Sequence, residues 1–356
     1  MSIKTASKSD VQAIIDQTLI DFFENSILKA HEVDEHYEML WKTLFDLHSS
    51  GGKRIRPKIV LMSYIAFGGD DYSSVAPVAC AQELLHFSML IHDDIIDRDV
   101  VRYGVDNITG TYEKLYTPFV FDASDRLHYA NSAAIMAGDL MIASAHKLIN
   151  DSSLGNDKKI AAQSIMYQSI FDVAGGELLD TESSFRPIGA IDALKIAHFK
   201  TASYSFVGPF LTGASLAGAS KKDLATLRDL AVHVGIAYQL TDDLLGIFGD
   251  EAKTGKSNTG DLREGKRTHL IDLTLKKLSP KQLLVFQANF GKHDVTDAAL
   301  ASLKEIIIET GAKHECEQLI DQYISQARKS LQMLALSKSS HEQFSELITN
   351  ATNRDF

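Results

Sequence analysis

Cysteine is nearly absent. Cys80 and Cys316 are the only two in 356 residues, which excludes a disulfide scaffold and suits a reducing cytosol. Proline is scarce as well, at 6 residues, and no Gly/Ser/Pro-rich linker or low-complexity tract divides the chain. With 45% hydrophobic residues the chain can bury a large core. Length alone permits two domains, but the missing linker makes residues 1–356 read as one. No repeat at a fixed period is present, which argues against a solenoid. No uncharged apolar run reaches the roughly 18 residues that span a bilayer. The opening "MSIKTASKSD" lacks the apolar core of a signal peptide, so a cytoplasmic protein is expected. Net positive charge is missing too. The formal charge is −11, whereas a nucleic-acid binder should carry a basic footprint. An anionic substrate would need local cations or metal ions to overcome that field.

What is present is helical periodicity. Apolar residues recur at three- and four-residue spacing from Ile15 to His48 and through 75–98, 131–149, 158–180, 191–218, 222–248 and 297–335, the signature of amphipathic helices. Period-two runs are scarce, so the fold class is all-α. Breakers fall between these segments, in "SSGG", "FGGDD" and "GDEAKTGKSNTGD". The stretch from Gly104 to His128 is the least regular, with Tyr112, Tyr116, Phe119 and Phe121 among polar residues.

The segment "LIHDDIIDRD" places four aspartates among residues suited to a core. On a helix, Glu83, His86, Leu90, Asp93 and Asp97 fall into one stripe, with apolar residues around the rest. A helix apolar on its other faces is buried, so the stripe should face an internal cavity. Two carboxylates about 4 Å apart repel by roughly 4 kcal/mol at an effective dielectric near 20, and a divalent cation relieves that. Hard oxygen ligands without a Cys or multi-His set point to Mg²⁺. A solvated acidic helix end is the plainer reading of one such pair. The segment "VGIAYQLTDDLLGIFGD" repeats the design, with Gly235, Gln239, Asp242 and Gly246 on one stripe and Asp243 beside it. Two such helices could face each other across one cavity, as metal sites in bundles do. The cations that would meet phosphate are in "SSGGKRIRPKIV", where Lys53, Arg54, Arg56 and Lys58 lead toward a helix N-terminus. Pro57 is expected at its first position. A solvated basic loop is the alternative.

The motifs "GGKRIRP", "HDDIID" followed by Arg102, "GELLD", "FKTASYSF", "QLTDDLLGIFGD", "TGK" and "GDLREGK" occur in this order. In this the sequence resembles the trans-polyprenyl diphosphate synthases, over roughly residues 15 to 354. The resemblance implies an all-helical bundle around a deep central cavity, a homodimer that condenses isopentenyl diphosphate head-to-tail with an allylic diphosphate, giving geranylgeranyl diphosphate or a longer product. It implies Mg²⁺ as cofactor, held by Asp93, Asp97 and Asp242, with Asp94 in the same catalytic set. Lys53, Arg56 and His86 would hold isopentenyl diphosphate. Arg102, Lys200, Lys256 and Lys266 would serve the diphosphates, with Thr201 and Gln239 near the developing cation. Ser88 and Met89, five and four positions before the first aspartate, would set product length; their small or flexible side chains predict a deeper cavity than a farnesyl synthase has.

Three departures stand out. Tyr103 replaces a second arginine, so Lys53 and Arg56 must carry more of the isopentenyl diphosphate binding. Gly246 replaces a third aspartate, and Glu177 stands where the family typically has glutamine, with Asp180 retained. Rival readings are weaker. A class I terpene cyclase needs a second motif that "TDDLLGIFGD" does not supply. A ferritin-like di-iron protein needs a second Glu-x-x-His beside Glu83 and His86, and Asp125-x-x-His128 is the nearest match. A non-catalytic subunit of a heteromeric synthase tends to lose the first aspartate motif, which is intact here.

Overall fold

The structure, a computed structural model, describes residues 8–187, 189–250, 258–292 and 294–352. It is helical nearly throughout, as the periodicity predicts. Its contacts define two compact units, the first Met1–Tyr167 with Leu211–Ala219, the second Gln168–Phe210 with Ser220–Phe356.

In the first unit, α1 (Lys8–Val33), α2 (Glu35–Ser49) and α3 (Ile55–Ala66) precede α4 (Tyr72–Asp97). The side chain of Asp34 caps α2 by accepting from the His36 N–H, and Asp71 caps α4 by accepting from Ser74. Arg98, in the left-handed region at φ 61°, terminates α4. The segment read as irregular then folds into ordered elements. Strands β1 (Val101–Arg102) and β2 (Val105–Asp106) form a hairpin, followed by α5 (Ile108–Tyr116) and the start of α6 (Ala123–Asp151). Periodicity could not show these because each is too short for a repeat.

Within this unit α4 packs most extensively on α6. The buried face of α6 is small, with Ala130, Ala133, Ala134, Ala137 and Gly138, and this allows close approach. A Cβ at Gly138 would lie 2.0 Å from the His92 Nε2 atom. Helix α4 lies in the core of this unit. It is long and apolar enough to cross a membrane by length and composition, yet 72% of its most apolar window is buried inside the protein.

Helix α7 (Asn156–Ser183) begins in the first unit and ends in the second. The second unit continues with α8 (Ala193–Ile196) and a π-helical stretch (Ala197–Val207) that runs into α9 (Gly208–Leu216), which from Leu211 on belongs to the first unit; α10 (Lys221–Phe248) follows in the second. Its core joins Leu240, Leu244 and Ile247 of α10 to Leu262, Leu270 and Cys316. The run read as one helix over 297–335 breaks at Gly311, whose φ of 72° leaves helices Asp297–Glu309 and Ala312–Gln332. The π-helical stretch was also unforeseen. Its apolar spacing resembles an α-helix, and only its packing reveals the wider winding.

Candidate active site

In the first unit the acidic stripe of α4 forms as its spacing predicts. Asp93 and Asp97 lie one turn apart and half-buried, while Asp94, the residue between stripes, is 2% exposed. Asp94 is held by Arg102, whose Nε donates to Oδ1 at 2.8 Å and whose Nη2 donates to the same oxygen. The hairpin turns the chain back after α4 and delivers this guanidinium, which also stands 3.7 Å from Asp93. Burial pushes the Asp94 carboxyl up and the Arg102 contact opposes that.

The basic loop sorts its cations. Arg54, in the left-handed region at the start of α3, is consumed internally. Its Nη1 donates to the Gly51 carbonyl at 3.0 Å and to Glu83 Oε1 at 3.1 Å. Its Nη2 donates to the His48 carbonyl at 2.7 Å and to His48 Nδ1 at 3.2 Å. Arg54 is thus a staple between loop and α4. Lys53 is exposed and Arg56 half-buried. The helix begins at Ile55, two residues before the expected Pro57, which is buried in its first turn. His86 is held well below the ordinary histidine value by loss of solvent first, then by Arg56, Arg102 and Arg54. It is therefore neutral, and it shares its neighbourhood with the two arginines assigned to diphosphates. Ser88 is fully buried, and among the described residues its hydroxyl has no hydrogen-bond partner; Met89 is half-buried.

In the second unit α10 presents Gly235, Gln239, Asp242 and Gly246 on one face. A Cβ at Gly235 would lie 2.4 Å from the Ala202 Cβ, so this glycine lets α10 meet the π-helical stretch. Thr201 Oγ1 donates to Gln239 Oε1, and Gln239 Nε2 donates to Asp243 Oδ1 at 2.7 Å. That relay orients the amide. Asp243 is 8% exposed, and burial lifts its carboxyl well above the carboxylate range, with Asp261, Asp242 and Asp180 adding to the rise against the Gln239 bond. Asp242 is half-buried. At Gly246 the missing side chain is replaced by a neighbour: a Cβ there would stand 2.2 Å from Asp261 Oδ2.

Lys200 is positioned from α7. A Cβ at Gly176 would lie 2.2 Å from the Lys200 backbone nitrogen, so any side chain there would push the π-helical backbone away. One and four residues on, Glu177 and Asp180 accept from Lys200 Nζ at 3.0 Å and 2.6 Å. Lys266 is half-exposed, 3.3 Å from Glu264. Lys256 lies outside the described residues.

Sequence reasoning did not single out Arg54, Gly176 or Asp261 for these roles, although each lies inside a motif quoted above. Spacing marked their segments as important but could not show which neighbour each would meet. The donor set fits Mg²⁺. Among the described residues no three His, Cys, Asp or Glu side chains converge as a ready-made cage. Carboxylates one turn apart suit an ion that takes one or two of them and completes its shell with water and phosphate oxygen.

Buried acidic helices, fixed arginines and a nearly all-helical architecture define a class that comparison with known proteins identifies. Residues 37–307 match the family model described as polyprenyl synthetase. The chain belongs to that family. It is 31% identical over 318 residues to the geranylgeranyl diphosphate synthase of Sulfolobus acidocaldarius, covering 88% of this chain and 90% of that protein. To the geranylfarnesyl diphosphate synthase of Aeropyrum pernix it is 30% identical over 292 residues, covering 80% and 84%. A geranylgeranyl pyrophosphate synthase from Corynebacterium glutamicum, crystallised with isoprenyl diphosphate and magnesium, superimposes with a TM-score of 0.89 at 31% identity, over 97% of this chain and 98% of that one.

Proposed function

We propose that the chain is a trans-prenyl diphosphate synthase that joins isopentenyl diphosphate to an allylic diphosphate, with geranylgeranyl diphosphate as the principal product. The observation that carries this reading is the α4 arrangement: Asp93 and Asp97 share one half-buried stripe a turn apart, while Arg102 holds the buried Asp94 beside them. An intact first acidic motif of this form belongs to a catalytic chain.

Mg²⁺, when bound, would neutralise charge developing on the allylic diphosphate as it leaves. Asp93 and Asp97 would hold it in the first unit and Asp242 in the second. Arg102, held by Asp94, would bind the allylic diphosphate together with Lys200 and Lys256, and Lys266 would add to substrate binding. Lys53 and Arg56 would hold isopentenyl diphosphate, with neutral His86 as a hydrogen-bonding partner. Thr201 and Gln239 present polar oxygens where an allylic cation needs stabilisation. Attack by the isopentenyl double bond and loss of one proton complete the condensation. Ser88 and Met89 would bound the growing chain.

The same reading covers assembly and location. On α7, Ile160, Tyr167, Phe171 and Leu178 recur at seven, four and seven residues, and all are more than 60% exposed. A continuous apolar stripe of this kind suits a second copy of the chain, so we assign a homodimer. Two buried free thiols suit the reducing cytoplasm. We take the two units as one catalytic domain.

Incubation with isopentenyl diphosphate, Mg²⁺ and each allylic donor in turn tests the reading. A twenty-carbon diphosphate is the expected main product, and no elongation of any donor would overturn it. Ser88→Phe should shorten the product, at a packing cost of about 1–3 kcal/mol. An unchanged product would remove Ser88 from the cavity floor.

A further inference from the structure

We propose that Tyr103 is a positioning residue that clamps the Gly51–Arg56 loop, and so presents Lys53 and Arg56 to the isopentenyl diphosphate. The proposal rests on the reading above that these two cations hold that substrate.

Tyr103 and Gly104 are the two turn residues of the β1–β2 hairpin, with φ of 55° and 78°. Such two-residue turns favour Asn-Gly, because both positions need the left-handed region. A bulky side chain there carries a steric penalty that asparagine avoids. The chain keeps an aromatic ring at the less favourable position, and the ring is in contact with the basic loop. A Cβ at Gly51 would lie 2.7 Å from both Tyr103 Cγ and Cδ1. The ring therefore rests directly on the backbone at Gly51, over a cavity lined by Arg54, Glu83 and His86.

Gly51 is gripped from a second direction. Its carbonyl accepts from Arg54 Nη1 at 3.0 Å, and Arg54 is tied in turn to Glu83 on α4. Arg54 and Tyr103 together fasten one end of the loop to the α4–hairpin segment, while Lys53 two residues on stays exposed. A cation held on a fixed loop loses less conformational freedom when it binds phosphate. The ring thereby offsets the guanidinium absent from position 103 by ordering the cations that remain.

Tyr103→Asn is the informative variant, because it removes the ring and relieves the turn at once. We expect an unchanged or higher melting temperature, faster hydrogen exchange at the Gly51–Arg56 amides, and a KM for isopentenyl diphosphate raised about tenfold. The allylic KM and kcat should stay within about twofold. Tyr103→Phe, which keeps the ring, should restore wild-type values. Gly51→Ala should raise the same KM in the wild type and add nothing in Tyr103→Asn, because its target is gone. The clamp is overturned if exchange is unchanged, if both KM values move together, if Phe behaves like Asn, or if the two substitutions add. Amide exchange reads the clamp without turnover, so an inactive wild type would sink only the functional reading.

Discussion

The two acidic helices start from the same dipeptide and end in different electrostatic states. On α4 the inward aspartate, Asp94, meets a guanidinium; on α10 the inward aspartate, Asp243, accepts from the amide of Gln239. Burial raises both carboxyls, but Arg102 restrains the rise at Asp94, while at Asp243 three further carboxylates add to it. One Asp-Asp pair thus fixes a cation beside Asp93. The other fixes a neutral relay from Thr201. The lesson is that the half-buried aspartate of each pair is the one proposed as a ligand, and the buried one decides what is held next to it.

The largest expected effect separates the outward residues from the inward ones. Asp97→Asn should lower kcat by about 10³-fold, since Mg²⁺ supplies several kcal/mol of charge stabilisation and each 1.36 kcal/mol is tenfold. Its melting curve should stay native. Near-normal turnover in Asp97→Asn would show that α4 does not hold the metal.

Next in size is the contrast between buried partners. Arg102→Gln strands a buried carboxylate and should cost about 3 kcal/mol in chemical denaturation. Gln239→Leu removes a neutral partner from a carboxyl already prone to hold its proton, and should cost about 1 kcal/mol. Equal losses would mean that Asp94 and Asp243 occupy the same charge state.

Titration sharpens the comparison further, with opposite signs. Asp243 has a raised carboxyl in the native state, so it binds its proton there before the unfolded chain does. Its contribution is therefore lost as pH rises above the unfolded value of 3.8 toward its native one. His48 runs the other way, because burial and Arg54 hold it down to about 3 against 6.5 unfolded. The unfolded chain binds the extra proton between those values, so stability falls as pH drops through that window, by about 1.4 kcal/mol per pH unit. Subtracting the stability–pH curves of Asp243→Asn and His48→Asn from the wild type, in chelator, should give slopes of opposite sign. Parallel slopes would refute one of the two assignments.

The smallest effect concerns Ser88. Its buried hydroxyl has no partner among the described residues, so Ser88→Ala should leave stability within about 0.5 kcal/mol or raise it slightly. A loss above 1 kcal/mol would reveal a buried partner for that hydroxyl.

Much of this was legible in the amino-acid sequence. The three- and four-residue spacing of apolar residues determined the helices, because a buried face must recur every 3.6 residues. The same arithmetic placed Asp93 with Asp97, and Gln239 with Asp242, on single stripes. Ordered motifs carried the family, because the chemistry of diphosphates constrains residue type as well as spacing. What the tertiary structure alone decided is which neighbour each residue meets. Arg54 and Arg56 look alike in "GGKRIRP", yet one is spent on Gly51, His48 and Glu83. The glycines at 176, 235 and 246 look like breakers, yet each makes room for a particular atom of another segment. The π-helical winding behind Lys200 and the hairpin that returns Arg102 to Asp94 leave no periodic trace. Local spacing records which face a residue occupies; contacts between segments distant in the chain depend on packing, and packing is settled only when the whole chain folds.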